Sequence, residues 1–516
     1  KVEYLQIVES YRDNGKVRQK VICTLGRLDE LRDSRQIDRL VEGLVRFSAQ
    51  QGLLSLAQDS LFSEWSREVG PALVFRRLWE NTGLARIISN RVQSTKIEFD
   101  VAEAVFAMVL NRLRNPSSKL QVSEWAKKDV YDPNFHNLEL HHYYRALDFL
   151  AEHKNAIEEH LFFEGQDLFN QTVDLVFFDT TTSYFEGPTR ATDLCKYGYS
   201  KDHRPDRVQV MIGLLIDQKG VPIAHEVLPG NTPDYLAFME TIQAVKTRFN
   251  LCRVVLVGDR GMANEKTIKA IEEAGYEYIL GVKMRRGKEV QEHILTRPGR
   301  FKQVEDNLHV KNVVYEDNRY VICYNPEEAA RDALTREKVL EKLEKKLREQ
   351  GPKSLIGNKA YSRYLKVDKD QFRIDPNVAR EEARYDGKYI LRTNTTLPAE
   401  EVALAYKQLW MVEQAFREMK SNLELRPMYH WTDSRIRGHI MVCFLAFYLE
   451  MKFRKRLGEI APEAHYQSVM DDLARMHATK LKVNGKETII RNEITGEAHL
   501  AFKVARMQVP SRVLRA

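Results

Sequence analysis

The sequence predicts a mixed α/β protein, with a central mixed sheet flanked by helices and interrupted by an inserted α+β domain. Three observations carry this. Two short apolar runs, Leu175–Phe178 and Val254–Val257, have the unbroken hydrophobicity of buried strands, and each leads into an acid, Asp179 or Asp259. Amphipathic stretches alternate with further strands after them. That rhythm breaks off between about 285 and 386 and resumes at Lys388–Arg392.

Each element follows from local pattern. Tyr4–Arg12 and Val17–Leu25 read as strands joined by Asn14-Gly15, a strong hairpin signal. From about Asp29 to Leu168 the pattern is helical; Val101, Val105, Met108 and Val109 mark one apolar face, closed at Asn115-Pro116. Trp79, Trp125 and Tyr143-Tyr144 read as core. Val208–Ile216 and Val221–Val227 form a hairpin about Asp217–Gly220, Asp234–Phe249 a helix, and Glu265–Ala274 a helix ended by Gly275 before the strand Tyr276–Leu280. Leu308–Val314 and Tyr320–Tyr324 pair, and Glu327–Gln350 is a charged helix with the stripe Leu340, Leu343, Leu347. Ala399–Ser421 reads as one long helix, and Asn484-Gly485 as a hairpin in the tail. The expected boundaries are 1–65 (hairpin and helices), 66–168 (helical, DNA-binding), 169–284 (first part of the core), 285–386 (insertion), 387–450 (second part) and 451–516 (basic module).

Composition narrows the function. The 516 residues are 43% hydrophobic and 30% charged, which excludes a disordered or collagen-like chain. Five cysteines stand far apart without a CxxC or CxxH pair, so no zinc site is expected. The longest apolar run, Ile440–Leu449, is half a membrane span, and no signal peptide opens the sequence; a soluble, cytoplasmic protein without a membrane partner is expected. The net charge is +7, and a surplus of +6 falls within Met451–Ala516, which hints at a polyanion, although on charge alone a solvated surface tail is the favoured reading.

Asp179 and Asp259 both follow buried strands, at the sheet edge where chemistry gathers. Tyr406, Glu413 and Lys420 are spaced by seven, so a straight helix puts them on one face, with Arg417 one turn from Glu413. On spacing alone an ordinary surface stripe with a Glu413–Arg417 ion pair is the favoured reading. Three converging carboxylates would need cations, and hard oxygen donors suit magnesium or manganese. Two such ions serve phosphodiester displacement.

The segments Phe178-Asp-Thr-Thr-Thr182, Gly198-Tyr-Ser-Lys-Asp-His-Arg-Pro-Asp206, Pro229-Gly-Asn-Thr-Pro-Asp234, Val257-Gly-Asp-Arg-Gly-Met262, Gly357-Asn-Lys-Ala-Tyr361, the Tyr406–Lys420 stretch and Leu423-Glu-Leu-Arg-Pro-Met-Tyr-His430 with Arg435-Ile-Arg-Gly-His439 follow one another across residues 175–450. In that order they resemble a prokaryotic insertion-sequence transposase of the Asp-Asp-Glu (DDE) class, in the insertion-sequence-four superfamily and its sixteen-thirty-four branch. The resemblance implies an RNase H-like core with an insertion between the second and third acids. By motif matching it makes Asp179, Asp259 and Glu413 the catalytic, metal-binding triad, holding two Mg2+ (Mn2+ substituting). Tyr406 and Lys420 become DNA contacts. The family pattern has Arg where this chain has Leu409, and Arg417 is expected to supply the missing cation. Arg260 is placed either to contact phosphate or to pair with Glu265, and Lys452, Arg454, Lys455 and Arg456 are expected on phosphates. In the Gly198–Asp206 loop a DNA-facing role and an Arg204–Asp206 pair fit equally. The implied activity is binding of terminal inverted repeats, hydrolysis at the element ends and joining of the 3′-hydroxyls to target DNA. The implied partners are double-stranded DNA, both element ends and target, and a second copy of the chain or more. A silent DNA-binding derivative and a nuclease without strand transfer are the alternatives.

Overall fold

The computed structural model describes the chain except for residues 1, 14–15, 34–35, 38, 41–60, 165–173, 187–191, 250–253, 286, 351–363, 369–370, 484–485 and 515–516. It forms two compact units, one of residues 1–72, 128–131 and 465–516, the other of residues 73–127 and 132–464.

In the smaller unit Tyr4–Asp13 and Lys16–Arg27 pair antiparallel with Asp13 opposite Lys16, as the Asn14-Gly15 signal predicts; those two turn residues lie outside the described ones. His477–Val483 and Lys486–Arg491 pair likewise, with Asn484-Gly485 also outside. One stretch differs. Leu61–Glu68 lies where the pattern predicts helix, yet it is a strand paired with His477–Val483. Its apolar residues are too sparse to show a period of two, and its partner decides its conformation. Lys480 holds the pairing from both sides, 2.9 Å from Glu64 and 2.9 Å from Glu487. The stretch before residue 72 and the basic C-terminal module therefore share one unit instead of forming separate domains.

The larger unit is built on one sheet. Its strands are β1 (Asp174–Tyr184), β2 (Gln209–Ile216), β3 (Pro222–Pro229), β4 (Val254–Gly258), β5 (Glu277–Val282), β6 (Lys302–Glu305), β7 (Leu308–Tyr315), β8 (Asn318–Tyr324) and β9 (Lys388–Thr393). The order across the sheet is β3-β2-β1-β4-β5-β9-β8-β7-β6. β1, β4 and β5 are parallel and the remaining pairings antiparallel, so the sheet is mixed as predicted. The β2–β3 turn closes at Gly220, whose φ of 74° a side chain would strain, while Asp217 Oδ1 accepts the N–H groups of Lys219 and Val221 at 2.8 Å.

Two expectations need correction here. The 285–386 insertion is not wholly apart from the core, because β6, β7 and β8 extend the main sheet through β9. Only the helix Pro326–Gln350, the strands Leu365–Asp368 and Gln371–Ile374 and the helix Pro376–Ala383 stand off it. They pack around Leu343 and Tyr364 with Leu340 and Leu347 beside them. Nor does β1 end at Asp179; it runs to Tyr184, so Asp179 sits within the strand.

Strand alternation sorts the side chains to two faces. Val176, Phe178 and Leu256 join Phe238, Ile242, Ile268 and Ile271 in a core formed with the helices α3 (Asp234–Phe249) and α4 (Glu265–Glu273). The helices α1 (Val101–Arg114), α2 (Leu140–Glu164) and α8 (Asp433–Ile460) pack together, with α2 and α8 against β3. α8 is apolar nearly all round and buried throughout Ile440–Leu449. Trp79, Trp125 and Tyr143 are buried, as predicted, whereas Tyr144 is only half-buried. At one end of this packing Glu158 is fully buried among cations, with Lys154 Nζ at 3.1 Å and Arg248 Nη1 at 2.8 Å. Burial opposes its ionisation, but Lys154, His225 and Arg248 outweigh burial and hold the carboxyl down at about 2.

The long helix predicted for Ala399–Ser421 is broken. It forms α6 (Ala399–Lys407) and α7 (Trp410–Arg417), then a π-turn over Glu418–Asn422. Between α6 and α7 the bonds shorten to three-residue steps, Leu409 N–H to Tyr406 O at 3.0 Å and Val412 N–H to Leu409 O at 3.1 Å. Leu409 is buried there, so the position facing DNA in the motif pattern turns into the core.

Candidate active site

Register brings the first two acids together. In the parallel pair β1–β4, Phe177 stands opposite Val257. Two residues further each chain reaches an aspartate, Asp179 still within β1 and Asp259 just past the end of β4, near enough that the Asp259 charge acts on Asp179. By alternation Asp179 takes the face opposite Val176 and Phe178, away from the α3–α4 core. α7 packs against β1, and Glu413 is exposed on it.

Asp179 is strongly perturbed. Its carboxyl is pushed up to about 6, first by burial and further by Asp259 and Asp234, against the pull of Lys201 and the Thr180 N–H. Lys201 threads this cluster, with Nζ 3.9 Å from Asp179 Oδ1 and 3.4 Å from Asp234 Oδ1. It donates to Thr180 O at 2.8 Å and Thr180 Oγ1 at 2.6 Å, and Thr180 Oγ1 donates to Asp234 Oδ1 at 2.6 Å. Asp259 Oδ1 accepts the Gly261 N–H at 2.8 Å, which fixes the turn that ends β4. Among the described residues no three His, Cys, Asp or Glu side chains converge closely enough to hold a metal ion as placed. The donor set nonetheless suits a hard divalent cation: Asp259 and Asp234 lie near enough to push the Asp179 carboxyl up, and Glu413 is exposed on the helix packed against β1.

The supporting cations divide. Tyr406 hydrogen-bonds Arg260, stacks on Tyr389 with ring centroids 5.7 Å apart, and covers Gly281 so closely that a side chain there has no room. Arg260 thus does not take the Glu265 pairing, which goes to Arg392 at 3.1 Å. Lys420 Nζ bonds the buried Asp202 at 2.7 Å, and Arg426 Nη1 meets the same oxygen at 2.5 Å. Arg417 is exposed and has no hydrogen bond or ion pair among the described residues, so the surface pair with Glu413 is not formed. Arg454 is taken up by Glu450 at 2.6 Å and Glu418 at 3.3 Å, unlike the exposed Lys455. Lys452 lies 5.3 Å over the Tyr448 ring, and Arg456 is half-buried. Arg204 does pair with Asp206, at 2.9 Å. The Gly357–Tyr361 segment lies outside the described residues.

Residues 173–449, over half of the chain, match the family model for the transposase DDE domain. Residues 1–59 match the model for the N-terminal domain of IS1634 family transposases. The chain belongs to the IS1634 family of DDE insertion-sequence transposases. It is a DNA transposase, and its mixed sheet fits the RNase H-like core of that class. DDE transposases use divalent metal ions, which agrees with the carboxylate set. Among solved structures, a piggyBac transposase synaptic complex with hairpin DNA is 10% identical, covering 84% of this chain and 79% of that one at a TM-score of 0.38. A Mos1 transposase paired-end complex with the left transposon end is 14% identical, covering 36% and 60% at a TM-score of 0.15. No curated protein matches the chain. No helix among the described residues of this transposase is long and apolar enough to cross a membrane.

Four residues of the cluster escape a reading by motif alone: Lys201, Asp202, Asp234 and Arg426. All lie in the quoted segments, and their signal is charge within loops that follow buried strands. Nothing in the spacing says that Lys201 would reach Asp179.

Proposed function

We propose that this transposase binds the terminal inverted repeats of its element, cleaves at their ends and joins the 3′-hydroxyls to target DNA, with Asp179, Asp259 and Glu413 as its metal-holding triad. The observation that supports the reading is the charge of Asp259 acting on Asp179, in the strand against which the Glu413 helix packs. Two Mg2+ ions, or Mn2+ in their place, would supply an activated water or 3′-hydroxyl and neutralise charge on the phosphate under attack.

The chain's own residues prepare the rest. Lys201 holds positive charge between Asp179 and Asp234 and presents an ammonium where a phosphate oxygen would arrive. Tyr406, fixed by Arg260 and Gly281, and the exposed Arg417 flank the same groove; Lys420 orders the Lys201 loop by bonding Asp202. Arg417 takes the place of the Arg that Leu409 replaces. Lys455, Lys452 and Arg456 contact backbone phosphates, and Arg454 serves structure through Glu450. The helical residues up to 168 and the smaller unit contribute end binding, with a dimer or larger assembly bringing two ends together.

The test is a supercoiled plasmid carrying the element with its native flanks, incubated with purified protein and Mg2+ beside an Asp179→Asn, Glu413→Gln double variant. Cuts at both ends with sequenced joined products, absent from the variant, are expected. Cutting without joining would favour a nuclease, and specific binding without cutting a silent derivative.

A further inference from the structure

A cavity of about 660 Å³ opens in the larger unit between the end of α1 and the segment from Glu424 to His439, within the roughly 300–1,000 Å³ of small-molecule sites. Three polar side chains in its wall are more than nine-tenths buried: Arg112 (5% exposed), Lys119 (3%) and His439 (4%). Lys119 Nζ, Arg112 Nε and His439 Nδ1 have no hydrogen-bond partner there. Arg112 otherwise donates only to main-chain oxygens, of Ser117 at 2.6 Å and of Leu423 and Glu424 at 3.2 Å. Arg426 and Arg435 also line the cavity, and the sole carboxylate among the lining residues is the exposed Glu424.

Such a cluster is costly on its own. A buried ammonium without a counter-charge costs several kcal/mol after relaxation. Burial and the neighbouring Arg112 accordingly push the Lys119 amine well below its ordinary range, and burial with Lys119 and Arg112 pushes His430 down to about 3. An anion entering the cavity supplies what the wall lacks. The mouth adds flat surfaces: Tyr429 is 61% and Trp431 42% exposed, while Tyr144 lies under the Arg435 guanidinium at 4.9 Å. Anion and ring together describe a nucleotide. In a duplex the base faces are stacked away, so the nucleotide that offers both is an unpaired one. The cavity is joined to the carboxylates by chain: Met428 in its lining bonds the end of β1 at Tyr184 and Glu186, and Arg426 meets Asp202 beside Lys201.

We propose that this cavity receives one unpaired nucleotide of a DNA strand, its phosphate on Arg112 and Lys119 and its base against Tyr429 and Trp431. The proposal rests on DNA as the substrate of this chain.

Two duplexes from the element's own end test it, one blunt and one with a three-nucleotide unpaired tail, titrated by fluorescence anisotropy at one salt concentration. The tail is expected to tighten binding by about tenfold, the scale of one base–aromatic stack. Trp431→Ala and Lys119→Met are expected to abolish that gain and leave blunt-duplex affinity unchanged. Lys119→Met should at the same time raise Tm, so lost tail binding will not reflect lost folding. No gain from the tail, or a gain that survives both substitutions, overturns the proposal while DNA binding stands. A parent protein that binds neither duplex overturns the DNA reading as well. Thymidine 5′-monophosphate bound as tightly as the tail, with no gain from the tail, would assign the cavity to a free nucleotide and overturn the strand proposal.

Discussion

The larger unit carries two charged clusters with opposite defects. Around Lys201, the carboxylates Asp179, Asp259 and Asp234 gather more negative charge than its one ammonium balances. In the cavity, Arg112 and Lys119 gather positive charge with no buried carboxylate. Elsewhere the same unit shows what balanced burial looks like: Glu158 sits at contact distance from Lys154 and Arg248 and its carboxyl is driven down. The difference teaches where the chain expects company. A cluster complete in itself stabilises the fold, and a cluster left unbalanced in a wall or on an edge is completed from outside, by a cation at the first and an anion at the second.

The comparison can be broken at several points. The largest effect belongs to the carboxylates: Asp259→Asn should lower end cleavage by at least about a thousandfold, several kcal/mol of lost stabilisation of the reacting phosphate, with binding of end DNA retained. A gel-based cleavage assay beside a binding titration measures both, and retained cutting would remove Asp259 from the triad. Next comes the balanced cluster. Glu158→Gln removes the fully buried carboxylate that Lys154 and Arg248 share with Glu226 and should cost about 3–5 kcal/mol in urea unfolding. The sign with pH follows from its lowered carboxyl. Its contribution is fully present above the unfolded carboxylate range near 4.5 and is lost as pH falls toward about 2, so unfolding curves between pH 6 and 3 should converge for parent and variant.

Lys119→Met should move stability the other way, upward by about 1–3 kcal/mol, since it removes a buried charge without a partner and keeps the volume. A destabilised variant would place Lys119 among the balanced groups. The smallest effect separates two neighbours on α8. Lys455→Ala should reduce the slope of log affinity against log salt by about 1, whereas Arg454→Ala should leave the slope alone and cost stability through the stranded Glu450. Equal slopes would show that both, or neither, meet phosphate.

Much of this is readable from residues. Buried strands announce themselves by unbroken apolar runs, which is why the sequence locates β1 and β4, although β1 runs on past Asp179 to Tyr184. The Asp217–Gly220 turn is legible for a similar reason, being dictated by backbone conformation alone, and the strands that flank each Asn-Gly pair as that signal predicts. Non-local pairing was not readable. Leu61–Glu68 is a strand because His477–Val483 lies beside it, some 410 residues away in the chain, and β6–β8 join the main sheet because β9 returns to meet them. The seven-residue spacing of Tyr406, Glu413 and Lys420 suggested a straight helix, but the burial of Leu409 interrupts it. The cavity is not legible for another reason: Arg112 and Lys119 look like ordinary helix-end cations until the fold buries them with no buried carboxylate among the lining residues.

The buried helix α8 also bears on how the molecule is made. It is the last element of the larger unit to leave the ribosome, yet α1, α2 and β3 close around it. At roughly 5–20 residues per second, the chain between the end of α2 and the end of α8 takes on the order of 15–60 s to translate. Through that interval the slot for Ile440–Leu449 stands open, with partners that cannot finish packing. Any product halted before Asp433 keeps that slot open for good and is destined for aggregation or proteolysis, so only a completed message yields a lasting protein.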